Sequence, residues 1–380
     1  MENLTHSLFG VALAELTLAP AATRVDRRLF IAAGLIAANL PDADLLYVRV
    51  TPPPLGYMLH HRGHTHTLLG LVAQLALVAL AYAIPPIRRA IGRAPSRFWL
   101  LVSLALFSHV ALDSWNSYGV HPFYPVDNSW YFGDAISIFE PWLWVFLGVA
   151  ASRNAVNRPL GQGVAIVVLG LLVALASFRM IPIGALLALV GVGVSLTILI
   201  RKQSPVARTS VALAATALFV ALMFGLSRMA RTTVRGTLHD AVDIVLTPQP
   251  ANPLAWNALA IEVSAADTVY VLRRGVVRFP ANAAEWTDER PQSLTALRSL
   301  ARDDCWVRAW LQFGRVPALN GPMIADYRFG PAQPGNFTMM EIRSRYETPS
   351  CPSHLTDWVM PRADLVGLNV IAGASRGEPP

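Results

Sequence analysis

Long apolar stretches, separated by short arginine-rich connections, fill about the first 230 residues of this 380-residue chain. A helix of roughly 20 mostly apolar residues crosses a bilayer, and about 17 to 25 are tolerated. In lipid such a stretch must pair its own backbone polar groups, which favours helices. The pattern therefore predicts a polytopic α-helical membrane bundle of about eight segments. The predicted segments are 4–19, 29–40, 66–84, 98–112, 135–151, 164–178, 181–200 and 209–226, and the first two are short enough to be tilted spans or a hairpin packed within the bundle.

The composition changes near residue 231. Charged residues make up 14% of the chain, against roughly a quarter in soluble proteins, and the deficit lies in the apolar part. We therefore divide the chain into a transmembrane domain, 1–231, and a soluble domain, 232–380. Strand-like runs at 258–265, 268–274 and 337–343, and helical patterns at 291–301 and 305–313, predict a small α+β fold for the second domain.

Alternate connections between the predicted segments carry most of the positive charge. The positive-inside rule places such connections in the cytoplasm, so both termini and the soluble domain are expected on the outer side. The rule also explains much of the net charge of +7, and no basic patch with interleaved aromatic residues suggests a nucleic-acid partner. The charged residues of these connections are Arg24, Arg27 and Arg28, then Arg88, Arg89, Arg93 and Arg97, then Arg153 and Arg158, then Arg201, Lys202 and Arg208.

The two cysteines of the chain, Cys305 and Cys351, both lie in the soluble domain. An extracytoplasmic compartment is oxidising and permits a disulfide. A disulfide between them would agree with the orientation expected from the arginines. Two free buried thiols are the alternative.

Two segments open with the same pattern, Thr-His-Ser/Thr-Leu-apolar-Gly, at residues 5–10 and 65–70. Thr5 and Thr65 are predicted helix N-caps, because a threonine oxygen accepts hydrogen bonds from free backbone N–H groups at a helix start. His6 and His66 would then occupy the first helical position at equal depth. The alternative is two chance capping sequences in an apolar chain.

Further histidines and aspartates fall at the same predicted outer ends. His109 and Asp113 are four residues apart, so on a helix they project from one face, and Pro41 loosens the helix beside Asp42 and Asp44. Imidazole and carboxylate groups are zinc ligands, and carboxylates also suit manganese. We expect one or two divalent ions, with Zn²⁺ favoured and Mn²⁺ as the alternative. The predicted metal ligands are His6, Asp42, His61, His66, His109 and Asp113.

Three further polar residues are predicted to act in catalysis. Arg62 is suited to a bidentate grip on phosphate, although it could also be a positive residue at the headgroup interface. Asp44 is expected to bind a second metal or to orient a ligand. His64 is our candidate acid, but spacing alone leaves the ligand, acid and spectator roles open among His60, His61 and His64.

The motifs "THSLFG", "NLPDAD", "HHRGHTHT" and "SHVALDSWNSYG" resemble those of the YdjM-like family of bacterial inner-membrane proteins, over roughly residues 1–150. That family is described as membrane-bound metal-dependent hydrolases and is also called LexA-binding or LexA-regulated. The resemblance implies a multi-pass inner-membrane location and a metal-dependent hydrolase. Glu140 stands where the family pattern leads us to expect an aspartate. The family's polar positions fall here on His6, Asp42, Asp44, His60, His61, Arg62, His66, His109 and Asp113.

These observations leave three functional hypotheses. The first is a hydrolase at the outer membrane face, where lipids are the neighbours and lipid-linked phosphate esters are the expected substrates. The second is a metal-ion or proton transporter that uses the same groups, and the third is a regulatory protein with a structural metal. Polar groups near one face, with Glu15 as the main inward exception, favour the hydrolase.

Overall fold

The computed structural model describes residues 1–19, 22–92, 94–280, 283–342 and 350–367. Its N-terminal part is helical, and a helix lies within or across each of the eight predicted apolar segments. Short 3-10 helices at Leu40–Leu46, Val48–Val50 and His64–His66 interrupt the bundle. The α-helices are α1 (Asn3–Thr17), α2 (Arg24–Asn39), α3 (Leu55–His60), α4 (Leu68–Tyr82), α5 (Pro85–Ile91), α6 (Pro95–Asp113), α7 (Pro141–Asn154), α8 (Arg158–Ser177), α9 (Ile183–Ile200) and α10 (Pro205–Thr237).

Five helical stretches among the described residues are long and apolar enough to cross a membrane, so the expected count of eight is not confirmed. A sixth is reached if Leu55–His66 and α4, which meet at 68°, form one broken span. The helices α1 and α7 have 15 and 14 residues and fall short of a full crossing by themselves. The five stretches are Arg24–Val50, Pro95–Asp113, Arg158–Ser177, Ile183–Ile200 and Pro205–Thr237.

The arginine-rich connections meet at one end of the bundle, which we call the basic end. Arg27 donates to the carbonyl of Asn154, and Arg208 Nη1 donates to the carbonyl of Arg153 at 3.0 Å. Arg97 likewise donates to the carbonyl of Leu18 at 2.9 Å. The opposite end of the bundle carries the histidines and aspartates together with the C-terminal domain, and we call it the site end.

Close contact between α1 and α2 depends on two glycines. A Cβ atom on Gly34 would collide with the backbone carbonyl of Gly10, and one on Gly10 with that of Gly34. Gly10 lies one helical turn from His6, and Gly34 lies two turns before Asp42. The crossing therefore fixes how closely these two polar residues can approach at the site end.

The C-terminal domain is built on a four-stranded antiparallel sheet in the order β1-β2-β3-β4. One face packs against the end of α10, through Ala230 and Val234, and the other against the helices that follow the sheet. Because both faces are covered, β2 is buried almost continuously from Ala258 to Ile261. The strands are β1 (Ala241–Gln249), β2 (Asn252–Val263), β3 (Val269–Arg278) and β4 (Glu285–Ser293).

The remainder of the domain largely follows the predicted pattern. The helices α11 (Leu294–Asp303) and α12 (Cys305–Leu311) match the helical patterns, and α13 (Ala363–Val366) lies near the end of the described chain. A small second sheet contains β5 (Pro317–Asn320), β6 (Met323–Asp326) and β7 (Met340–Glu341). The strand predicted at 337–343 is thus reduced to two residues, and residue 343 lies outside the described residues. Cys305 and Cys351 form a disulfide with their Cα atoms 5.6 Å apart.

An ion network joins this domain to the connection between α6 and α7. Arg315 donates two hydrogen bonds of 2.9 Å to the carboxylate of Asp134, and Arg231 of α10 donates a third. Arg315 also binds Asp243 of β1 at 2.8 Å. Burial alone would raise the pKa of the Asp243 carboxyl, but Arg315 outweighs this effect and lowers that pKa to about 2. Asp243 is therefore ionised at neutral pH, and the network holds the two domains together.

We expect Arg315→Met to destabilise the protein by about 3 kcal/mol, because it leaves the buried carboxylate of Asp134 and the partly buried one of Asp243 without their main partner. The measurement is thermal unfolding of purified protein in detergent. Arg278→Met is the matched control, since the Arg278–Glu285 pair is exposed and should change stability by no more than about 0.5 kcal/mol. Equal shifts in Tm for the two variants would contradict a stabilising role for the network.

Candidate metal centre

A 3-10 helix at the end of α2 carries the first two carboxylates. Pro41 lies in its first turn and interrupts the α-helix after Asn39. The tighter winding of a 3-10 helix changes the directions of side chains relative to an α-helix. Asp42 and Asp44 consequently both reach one polar cluster, as the proline led us to expect.

The repeated Thr-His pattern has a different local structure from the one predicted. The N-cap of α1 is Glu2, whose carboxylate accepts from the backbone N–H of Thr5, so Thr5 lies inside the helix. The N-cap of α4 is Thr67, because His66 belongs to a preceding 3-10 helix and Thr65 donates to Asp44 at 2.9 Å. The predicted N-caps Thr5 and Thr65 are therefore wrong. The two histidines nevertheless contact the same carboxylate. His6 Nε2 lies 3.4 Å and His66 Nε2 lies 3.3 Å from oxygens of Asp113.

Four side-chain atoms from three separate segments form the centre of the cluster. These are His66 Nε2, His109 Nε2, and one carboxylate oxygen each of Asp42 and Asp113. The His66 nitrogen lies 3.1 Å from His109 Nε2, 3.5 Å from the Asp42 oxygen and 3.3 Å from the Asp113 oxygen. The His109 nitrogen lies 3.4 and 3.5 Å from the same two oxygens. Two atoms bound at about 2.0–2.1 Å to one tetrahedral zinc ion lie roughly 3.3 Å apart, so these distances match one such coordination shell.

Hydrogen bonds on the far side of each imidazole determine where its proton lies. His109 Nδ1 is 2.6 Å from the carbonyl oxygen of Ala38, which can only accept, so Nδ1 carries the proton. His66 Nδ1 is 3.0 Å from the hydroxyl oxygen of Thr65, which donates its own proton to Asp44, and 3.2 Å from an oxygen of Asp44, with the same consequence. In a neutral imidazole with its proton on Nδ1, the Nε2 atom is a lone-pair acceptor, and both Nε2 atoms face two carboxylate oxygens. Four acceptors at such distances repel one another unless a cation lies among them, and neutral imidazole oriented in this way is the usual form of a metal-binding histidine.

A second group of possible ligands shares Asp42 with the first. It comprises Asp42, Asp44 and His61, with His61 Nδ1 3.1 Å from an oxygen of Asp44. Asp44 is fully buried and also accepts from the backbone N–H of Arg62 at 2.9 Å. The described residues thus offer one complete four-ligand group and a partial second group beside it.

His6 and Arg62 border the first group without belonging to it. The His6 ring stacks on His109 with centroids 3.7 Å apart, and both of its nitrogens are buried without a hydrogen-bond partner among the described residues. Arg62 Nη2 lies 3.0 Å from Asp113, which also contacts the amino group of Met1. The Arg62 guanidinium and the Met1 amino group contact Oδ1 of Asp113, whereas His66 and His109 face Oδ2.

The structure does not bring His64 into the cluster. Its side chain is exposed, and its ring packs against Trp358 and Tyr124 with centroids 4.7 and 5.1 Å apart. His60 also lies aside, with Nε2 2.8 Å from the hydroxyl of Thr51. Glu140, the departure from the family pattern, is the N-cap of α7 and accepts from the backbone N–H of Trp142.

Sequence reasoning missed the contribution of Thr65 and of the C-terminal domain. Thr65 holds Asp44, a role that its place between two histidines could have suggested. Trp358 donates to the carbonyl of Leu59 at 2.8 Å, and Phe337 packs edge-on to Tyr57 beside His61. The soluble domain therefore covers the segment that carries the histidine cluster, and no sequence motif indicated this.

The comparison with known families agrees with the motifs. The family model described as "YdjM inner membrane protein" matches residues 1–185. This region, just under half of the chain, is similar to the YdjM family. The YdjM match includes every residue of both ligand groups, and together with the apolar helices it indicates a membrane location.

Similarity to a curated relative is more limited. The protein described as "Uncharacterized protein YfhP" of Bacillus subtilis (strain 168) is 26% identical over 149 residues. The match covers 38% of this chain and 43% of that relative, which is less than half of each protein. No solved structure matches the chain.

We expect the purified protein to contain a divalent metal, and the double variant His109→Ala/Asp113→Ala to contain none. The substitutions remove half of the four-ligand group while leaving the rest of α6 unchanged. Elemental analysis of both proteins measures the difference. The control is His64→Ala, which changes a histidine of the same motif outside the cluster and should retain the metal. If the double variant elutes as a folded species and contains as much metal as the wild type, His109 and Asp113 are not metal ligands.

Proposed function

We propose that this protein is a metal-dependent hydrolase that cleaves phosphate esters of membrane lipids at the outer membrane face. The observation that carries the proposal is the set of four mutually facing acceptor atoms from Asp42, His66, His109 and Asp113. A cation bound among these atoms would relieve their mutual repulsion, and the mixture of imidazole and carboxylate favours zinc, with manganese as the alternative.

Asp42 belongs to both ligand groups and would therefore help to hold each ion if two are bound. Two closely spaced divalent ions can stabilise both the attacking and the leaving oxygen of a phosphoryl group and supply a nucleophile near neutral pH. The chain's own residues would hold the ligands and the substrate in position. Asp44 orients His66 and His61, while Arg62, with its charge fixed beside Asp113, is suited to bind a phosphoryl oxygen.

An apolar groove supports a lipid as the substrate. It lies between α2 and α4, with α6 as its floor, and has a volume of about 500 Å³. Val102, at its upper end, lies about 10 Å below His109, since seven helical residues rise about 1.5 Å each. We propose that the hydrocarbon chain of the substrate occupies this groove while its phosphate reaches the ligand groups. Residues lining the groove include Leu29, Ala33, Ile36, Val78, Ala81 and Val102.

The distribution of charge supports the outward orientation of the site. The basic end collects the arginine-rich connections, which the positive-inside rule assigns to the cytoplasm. The disulfide at Cys305 is favoured in an oxidising compartment. Arg231, which precedes the soluble domain and would otherwise count against this orientation, is bound to Asp134.

A transport function receives less support from the same contacts. Glu15, the main polar residue away from the site end, is paired with Arg27 at 2.6 Å close to the basic connections. It therefore acts as a contact between α1 and α2 rather than as a step in an ion path. A purely structural metal would need only one closed four-ligand group, whereas the cluster offers Asp44 and His61 in addition.

We expect metal-loaded protein in detergent to hydrolyse both a long-chain alkyl phosphate ester and a short-chain, water-soluble analogue. Both activities should disappear after chelation and in His109→Ala/Asp113→Ala, because the ligand group is then lost. Phosphate or alcohol release measures the reaction. Protein that binds metal but cleaves neither ester would contradict the hydrolase and favour a structural metal.

The groove gives this assay a second, independent comparison. Ala33→Trp should lower kcat/KM for the long-chain ester by roughly tenfold and leave the short-chain ester unchanged, since excluding about two CH₂ groups from an apolar site is worth about that factor. Val167→Trp is the matched control, because Val167 is exposed on α8 away from the groove. Parallel losses on both esters would argue against a chain in the groove.

Orientation is testable with single cysteines, because the native pair is disulfide-bonded. Ala266→Cys, in the exposed turn between β2 and β3, should react with a membrane-impermeant maleimide added to intact spheroplasts. Arg88→Cys, at the basic end, should react only after permeabilisation. The reverse pattern of labelling would overturn the proposed orientation.

A further inference from the structure

Two polar residues beyond the metal cluster lie against Arg62. Arg62 Nη1 donates to the side-chain oxygen of Asn116 at 3.1 Å, and the guanidinium carbon lies 4.5 Å from the centre of the Tyr118 ring. The backbone N–H of Tyr118 donates to the same Asn116 oxygen at 2.9 Å. Arg62, Asn116 and Tyr118 therefore form one compact unit at the end of α6, next to Asp113.

Each member of this unit has a buried donor group that the rest of the chain does not use. Arg62 Nε, Asn116 Nδ2 and the Tyr118 hydroxyl are buried without a hydrogen-bond partner among the described residues. The three residues are themselves more than nine-tenths buried. Buried polar groups in native proteins are nearly always paired, so three unpaired donors in adjacent residues call for a ligand that accepts.

The C-terminal domain holds these donors in place. Arg328 donates to the carbonyls of Ser117 and Tyr118 at 2.6 and 3.2 Å. These two hydrogen bonds fix the peptide groups on both sides of Tyr118. Phe313 packs edge-on to the Tyr118 ring, with centroids 5.0 Å apart. The donors are thus rigidly placed before any ligand binds, as oxyanion-binding groups in active sites usually are.

We propose that Tyr118 and Asn116 donate hydrogen bonds to the phosphoryl oxygens of the substrate, beside Arg62. The unit supplies three free donors and one positive charge, and the Tyr118 hydroxyl is its one group that could also accept, a balance that suits a tetrahedral oxyanion. The inference rests on the proposed function, because it assigns the substrate phosphate a binding site adjacent to the metal ligands. It also gives the C-terminal domain a part in substrate recognition, through the position of Tyr118.

The test measures binding of inorganic phosphate to metal-loaded protein by calorimetry, together with the Tm of each variant without phosphate. Tyr118→Phe should weaken phosphate binding by about tenfold. Its Tm should stay equal or rise, since the variant removes a buried hydroxyl that has no partner. Asn116→Asp keeps the oxygen that accepts from Arg62 and removes the amide donor, so it should also weaken binding.

Tyr270→Phe is the matched control. The Tyr270 hydroxyl is equally buried but donates to the carbonyl of Pro317 at 3.0 Å, so its loss should lower the Tm and leave phosphate affinity unchanged. Wild-type affinity in both Tyr118→Phe and Asn116→Asp would overturn the inference, as would a wild-type protein that does not bind phosphate. A lower Tm for Tyr118→Phe with unchanged affinity would show a merely structural hydroxyl.

Metal content, measured on the same samples, separates this inference from the proposed function. Bound metal with no effect of either variant on phosphate binding contradicts only the phosphate site. Phosphate binding that depends on Tyr118 in a protein without metal contradicts only the metal-dependent hydrolase.

Discussion

Two imidazole lone pairs and two carboxylate oxygens are held facing one another at the centre of this protein. Left to themselves these groups would move apart, because each is an acceptor and burial strengthens their repulsion. The surrounding fold opposes that motion from several directions. Ala38 and Asp44 hold the far nitrogens of His109 and His66, and the Gly10–Gly34 crossing holds α1 against α2.

The soluble domain is part of the same arrangement. Its sheet is wedged between the end of α10 and the α11–α12 layer, and Arg315 ties it to Asp134 in the connection after α6. The same connection carries Asn116 and Tyr118, so the ion network and the unpaired donors are positioned by one segment. The C-terminal domain has no catalytic motif of its own, but it contacts the site through the connection between α6 and α7.

Sequence alone identified what depends on local spacing. The pair His109 and Asp113 follows from helical periodicity, and Pro41 was enough to suggest that Asp42 and Asp44 leave the regular helix. The caps at Thr5 and Thr65 were mispredicted because capping depends on competition: Glu2 and Thr67 accept the free N–H groups, and the Thr65 hydroxyl is used by Asp44.

Neighbouring histidines could not be told apart for a similar reason. Arg62 has a positive φ of 57°, and the turn that it forms places His61 beside Asp44. His60 instead contacts Thr51, and His64 packs against Trp358. The number of membrane spans was also beyond local reasoning, because α1 and α7 are apolar but short and are packed within the bundle by their neighbours. The cover formed by Trp358 and Phe337 arises from contacts between residues almost 300 positions apart.

The length of α10 has a mechanical consequence. Its 33 residues make a rod of about 50 Å, whereas the hydrocarbon core of a bilayer is about 30 Å thick. The C-terminal end of α10, which extends beyond the hydrocarbon core, packs against the sheet. The distance of the sheet from the lipid is therefore set by a rigid helix and not by a flexible linker. Because α10 is one continuous helix, a change in its tilt within the bilayer would move the sheet, and the C-terminal residues that pack around Tyr118, together with it. The tilt of α10 is therefore a variable that would couple the membrane to the geometry around Tyr118.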